Sequence, residues 1–191
     1  MPSPRRQPSP ATIADLDAVS ASQVDTAEFE LIDGAIEMMS NPSETHEQIA
    51  ANIGAPLKLA MDRRGCRSYQ GGIRVQRSDD TSDADKTRPD VVVRCGPASK
   101  GTFITDPVVI VEVLSPSTID RDRGPKLAFY KSLPSVRHIA LVYQDQMRVE
   151  HYWRTENGFE FAALTSRADR LHFDAVEFGL PLEAVYFGVE L

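Results

Sequence analysis

The stretch Val108-Val109-Ile110-Val111-Glu112-Val113-Leu114 decides how this chain folds. Apart from one residue it is apolar, and the run is continuous rather than alternating. Such a run reads as a strand covered on both faces, at the centre of a sheet. Glu112 breaks the pattern. A carboxylate does not enter a dry sheet alone, because desolvating an unpaired charge costs many kcal/mol. It needs a proton, a salt bridge or a metal ion.

Working outward, Pro89-Asp90-Val91-Val92-Val93 is a shorter apolar strand that opens on an acid, and Ile139 to Tyr143 is another. Met147, Val149, His151 and Trp153 alternate with polar residues, an antiparallel pattern that Phe159 to Leu164 can pair with. Ser117 to Asp122 reads as a polar turn, and Gly124-Pro125 starts a helix carrying Lys126, Phe129 and Tyr130. Upstream, Glu44 to Arg64 is the clearest helix. Ile49, Ala50, Ile53 and Leu57 share one face, Ser43 is a candidate N-cap and Gly65 the stop. Pro56 should kink or split it. Residues 28–39 form a hairpin about Asp33-Gly34, a strong two-residue turn signal. Ile73 and Val75 mark a strand with one wet face. Residues 78–88 read as a loop whose Asp79, Asp80, Asp83 and Asp85 lack EF-hand spacing and are solvated. Pro181 to Phe187 is a short apolar cap.

The fold class is therefore α/β, a single domain over residues 25–191 with a mixed β-sheet flanked by helices. Residues 1–24 read as a flexible, proline-rich tail and lead-in, in which Ile13, Leu16 and Val19 have helical spacing.

The 191 residues carry 21 Lys plus Arg and 28 Asp plus Glu, a formal net charge of −7. A strongly basic nucleic-acid coat is excluded. No apolar run is long enough to span a membrane, and the leader has no apolar core, so no membrane association or secretory signal is expected. Cys66 and Cys95 lack CxxC spacing and read as reduced thiols, which with the rest predicts a cytoplasmic protein.

The chemistry gathers around Glu112. Asp90 and Glu112 on adjacent strands make a hard oxygen site of the kind Mg2+ (or Mn2+) prefers, one or two carboxylates with waters and a phosphate. Lys126, on the helix after the central strand, can offset charge developing on a phosphodiester. Asp, Glu and Lys together point to metal-dependent phosphodiester hydrolysis. The bland alternative is a buried Glu112–Lys126 or Glu112–Arg pair with a purely structural role. Asp120 and Asp122 read as helix-capping acids, and Ser115 and Ser117 as turn residues.

Phe29-Glu30-Leu31-Ile32-Asp33-Gly34, His46, Arg88-Pro89-Asp90-Val91-Val92-Val93 and Val111-Glu112-Val113-Leu114-Ser115-Pro116-Ser117-Thr118, followed by Lys126 and Tyr130, resemble the Uma2 family. The resemblance implies a restriction-endonuclease-like domain of the PD-(D/E)XK nuclease superfamily. It implies that Asp90 and Glu112 are the metal-holding acids, and that Glu30 is a further acid of the site. His46 would support an acid by hydrogen bonding. Leu114 stands where the simplest nuclease motif has its lysine, and Lys126 is the natural substitute. The implied activity is that of an endonuclease acting on nucleic acid, in the first place DNA, as a homodimer. The alternative is a nuclease-fold module that binds nucleic acid or protein with weak or lost catalysis. The acidic total does not exclude such a partner, because Arg63, Arg64 and Arg67, then Arg74 and Arg77, then Arg121, Arg123, Lys126 and Lys131 cluster locally.

Overall fold

The structure is a computed structural model that describes residues 9–22, 28–39 and 41–191. The tail expected at the extreme N-terminus lies largely outside the described residues. The strands are β1 (Phe29–Ile32), β2 (Ala35–Met38), β3 (Arg67–Gln70), β4 (Arg74–Gln76), β5 (Lys86–Thr87), β6 (Val91–Arg94) and β7 (Phe103–Ile104). They continue with β8 (Val109–Leu114), β9 (His138–Tyr143), β10 (Val149–Thr155), β11 (Gly158–Leu164), β12 (Arg170–Phe173) and β13 (Phe178–Pro181). The helices are α1 (Ile13–Ser22), α2 (Glu44–Asp62), α3 (Ile119–Arg121), α4 (Leu127–Ser132) and α5 (Leu182–Val185). A kinked turn, Asp122–Lys126, joins α3 to α4.

The main sheet has six strands in the order β11-β10-β9-β8-β6-β3, with β8 and β9 parallel and the other pairs antiparallel. The strand that opened the sequence reading, β8, lies inside this sheet and is buried along its whole length. Its side chains alternate between two cores. Val109, Val111 and Val113 pack with Ile49, Ile53 and Leu57 of α2. Ile110 and Leu114 pack with Leu127 and Tyr130 of α4 and with Leu141 of β9. Glu112 falls on the second face, under the helix that carries Lys126. The hairpin β1–β2 belongs to a five-stranded sheet, β2-β1-β5-β4-β7, and β12–β13 form a two-stranded one.

The hairpin turn has Asp33 at φ 50° and Gly34 at φ 71°, the two left-handed positions that an Asp-Gly pair supplies at low cost. Ser43 caps α2 by accepting from the His46 N–H at 3.1 Å. Contrary to expectation, Pro56 neither splits nor ends α2, which is one helical run. Ile53 and Leu57 on either side are fully buried, and that packing offsets the missing backbone hydrogen bond. Residues 13–22, expected in the lead-in, form α1, and Ile13 and Leu16 bury against Leu31 of the hairpin. The loop at 78–88 is also more structured than expected. Lys86 and Thr87 form β5 between β1 and β4, and the buried Asp85 accepts from the Asp33 N–H at 2.9 Å and pairs with Arg77 at 2.6 Å.

The cysteines correct the sequence reading. Cys66 and Cys95 form a disulfide, Cα to Cα 4.1 Å. They stand one step beyond the Arg67↔Arg94 pair of β3 and β6. Antiparallel register brings them together, and a separation of 29 residues hides that from spacing rules. The pair removes the argument from reduced thiols for a cytoplasmic location. Among the described residues no helix is long and apolar enough to cross a membrane.

The α2 face of the sheet holds one titratable pair. His138 Nδ1 and His151 Nε2 lie 3.1 Å apart beside Phe173. Burial, then the neighbouring His138, pushes His151 down to about 4. The unfolded chain therefore takes up a proton near pH 6.5 that the folded chain refuses until about pH 4, so stability is lost as pH falls across that window. Urea denaturation is expected to show a loss of about 2 kcal/mol between pH 7 and pH 5, flattened in His151→Gln.

Candidate functional site

The register of the main sheet builds the site. Val91 pairs with Val111, so Asp90, one residue before β6, comes level with Glu112. The Val113 N–H donates to Asp90 Oδ2 at 2.6 Å, which fixes that carboxylate at the sheet end. His46, in the first turn of α2, places Nε2 3.3 Å from the same oxygen. Burial works against a charged His46, but the hydrogen bond and charge of Asp90 outweigh it and raise the imidazole above its ordinary value.

Lys126 meets Glu112 across the second face. Its Nζ lies 2.8 Å from Glu112 Oε1, 3.2 Å from Glu30 Oε1 and 3.3 Å from Asp122 Oδ1. Tyr130 donates its hydroxyl to Glu112 Oε1 at 2.5 Å. Glu30, fully buried in β1, also accepts from the Arg88 N–H at 2.5 Å, and Arg121 Nη2 stands 3.8 Å from it. Burial pushes Glu112 up, against the pull of Lys126 and with the push of Asp90, Asp122 and Glu30. Burial would lower Lys126, but Glu112 and Glu30 outweigh it and keep the ammonium charged. The Tyr130 phenol is raised by burial and by Glu112, so it stays a donor.

His46, Asp90, Glu112, Asp122 and Lys126 line a cleft of about 820 Å3 together with Gln144, while Glu30 and Tyr130 touch Lys126 and Glu112 without lining it. Each residue singled out from the sequence is in this neighbourhood: Asp90, Glu112, Lys126, Glu30 and His46. Two were missed. Asp122 is no capping acid, and Tyr130 was noticed only as part of a motif. Asp122, Lys126 and Tyr130 follow one another at four-residue steps, a single helical face. That signal was hidden because the helix was expected to begin at Gly124. It begins at Ile119 and kinks at Gly124, which is off helical geometry at φ −99°, ψ −107°, before continuing as α4.

The donor set suits a hard cation. Asp90, Glu112, Glu30 and Asp122 face two positive groups, Lys126 and Arg121, so acid is in excess. Asp122 Oδ1 is buried and makes no hydrogen bond, with Lys126 Nζ 3.3 Å away as its nearest cation. Among the described residues no three of His, Cys, Asp and Glu converge as a ready-made metal cage. Asp90 and Glu112 would offer two carboxylates, leaving water and phosphate to complete the shell of a hard cation.

The fold defines a class, the nuclease-like α/β domains. A solved "putative nuclease belonging to DUF820" from Anabaena variabilis superposes with a TM-score of 0.73 at 15% identity, over 89% of this chain and 96% of that one. The family model of Uma2, described as "Putative restriction endonuclease", matches residues 17–183, and the chain belongs to that family. Two Synechocystis proteins are similar along most of its length. The protein slr1290 is 28% identical over 162 residues, 84% of each chain. The protein sll1609 is 29% identical over 134 residues, 66% of this chain and 72% of its own.

Proposed function

We propose that this protein is a divalent-metal-dependent endonuclease that hydrolyses phosphodiester bonds, in the first place in DNA. The observation that carries the proposal is the level placement of Asp90 and Glu112 at the cleft floor, beside a buried lysine that does not balance the surrounding acids. Asp90 and Glu112 would hold Mg2+ or Mn2+. Such an ion, when bound, polarises a phosphodiester oxygen and makes water a better nucleophile. The protein's own groups do the rest. Val113 N–H and His46 fix Asp90. Tyr130 and Lys126 fix Glu112 through one oxygen, Oε1, and leave Oε2 free of these two bonds. Lys126 pulls Glu112 toward its ionised form, against burial and the neighbouring acids, and offsets negative charge gathering on the phosphate. Glu30 positions Lys126 from the other side.

A second reading has one observation in its favour: Lys126 already contacts three of the carboxylates. On that reading the pair is structural, and the domain binds nucleic acid or protein without cutting. Incubation of purified protein with plasmid and single-stranded DNA separates the two. Cleavage is expected with Mg2+ or Mn2+ and lost in chelator. Intact substrate under every metal condition favours the second reading.

A further inference from the structure

The carboxylate row extends beyond the candidate site. Glu112 pairs with Leu141 of β9, and Leu141 pairs with Glu150 of β10. Glu150 thus lies on the same face as Glu112, two strands away, about 10 Å at the usual strand spacing. It is 1% exposed and serves none of the chemistry described above. A buried carboxylate is costly unless donors surround it, and here four do. Tyr143 and Tyr152 donate their hydroxyls at 3.0 and 3.1 Å. Arg148 donates through Nη2 at 2.9 Å and Arg123 through Nε at 3.2 Å. Burial would raise the carboxyl, but Arg148, the tyrosines and Arg123 bring it below its usual value, so it holds a permanent charge.

The two arginines differ from the other basic residues near the cleft. Arg74 faces Asp17, Arg77 faces Asp83 and Asp85, and Arg121 faces Glu37 and Glu30. Arg123 and Arg148 share one carboxylate, so the trio carries an excess positive charge. Their side chains are 48% and 36% exposed. Among the described residues the remaining guanidinium nitrogens have no partner, and Arg148 Nε is buried without one. Arg148 also stacks over the Tyr143 ring at 5.3 Å, which limits its freedom. Arg123 belongs to the same kinked turn as Asp122 and Lys126, and Gln144, next to Tyr143, stands in the cleft wall. The pair is a preorganised fork for a phosphate, set on the flank of the cleft.

We propose that Arg123 and Arg148, held by the buried Glu150, form a phosphate subsite that grips the nucleic-acid backbone beside the bond being cut. The subsite rests on the function proposed above. It fixes the position of the strand and carries no base preference.

Fluorescence anisotropy with a short labelled DNA duplex, in Ca2+ in place of Mg2+, tests this for the full chain. Each neutralised phosphate contact contributes a log–log salt slope of about −0.9. Arg123→Gln and Arg148→Gln are each expected to weaken binding and to shallow that slope by about one contact. Their loss of affinity should then be about 3.5-fold larger at 50 mM than at 200 mM salt. Arg167→Gln, an exposed arginine outside the cleft lining and outside the basic clusters, should bind as the parent does. Melting curves guard against misfolding, and Arg123→Lys should restore the slope, which a merely structural tether would not require. Parent-like slopes in both Gln variants, equal weakening in Arg167→Gln, or no duplex binding by the parent overturns the subsite. Unchanged slopes with metal-dependent cleavage intact would sink the subsite alone. Shallower slopes with no cleavage under any metal would sink the nuclease function alone.

Discussion

Lys126→Met is expected to destabilise the fold by about 3–5 kcal/mol, the range for removing one partner of a buried ion pair. For a domain of this size that corresponds to a fall in melting temperature of about 6–20 °C. The cause is what the lysine leaves behind. Glu30, Glu112 and Asp122 all lie within 3.3 Å of Nζ, and all three are almost fully buried. Without the ammonium, Asp122 loses the cation beside it and Glu112 keeps only the Tyr130 hydroxyl. Glu112 then takes up a proton more readily, and the variant's deficit relative to the parent should be smaller at low pH than at neutral pH. The double variant Glu112→Gln with Lys126→Met removes a charge of each sign and should recover part of the loss. Thermal melts of the parent, both single variants and the double complete a cycle. A strictly additive cycle would mean that Lys126 and Glu112 do not act as a pair.

Glu112→Gln and Asp90→Asn are each expected to lower the rate of metal-dependent cleavage by about 10³-fold, a loss of about 4 kcal/mol of transition-state stabilisation. Both substitutions keep the side-chain volume. Glutamine at 112 can still accept from Tyr130, and asparagine at 90 can still accept from the Val113 N–H. Each change therefore removes charge at the cleft floor and keeps these hydrogen bonds; Glu112→Gln also takes one of three carboxylates from Lys126, which the melting curves monitor. Initial rates on plasmid DNA, with melting curves for both variants, check the effect. Rates within a few-fold of the parent's would show that these carboxylates do not hold the metal.

How much was legible in the sequence follows from which forces act locally. The buried β8 was plain because a continuous apolar run has few other places to go. The hairpin and the start of α2 were legible because Asp33-Gly34 and Ser43 act through their own backbone. Asp90, Glu112 and Lys126 stood out because an acid at a strand mouth, an acid within a strand and a lysine beyond it each need a partner. What escaped depends on neighbours far along the chain. Cys66 and Cys95 meet only because β3 and β6 are paired. Asp85 is buried because the hairpin turn lies over it. Asp122 was misjudged because Gly124-Pro125 looks like a helix start, whereas helical turns precede it and Gly124 is only a kink. Glu150 looked like the polar half of an alternating strand, and only the row from Glu112 through Leu141 gives it a place.

The central claim is that Asp90 and Glu112 hold a divalent cation rather than only bracing a lysine. Equilibrium Mn2+ binding, followed by paramagnetic resonance on the full-length protein without nucleic acid, tests it most directly. The prediction is saturable binding of one ion by the parent, displaced by Mg2+ and weakened at least tenfold in Asp90→Asn and Glu112→Gln. Absence of saturable binding by the parent, or affinity unchanged in both variants, would contradict the claim and leave the buried pair as a structural element.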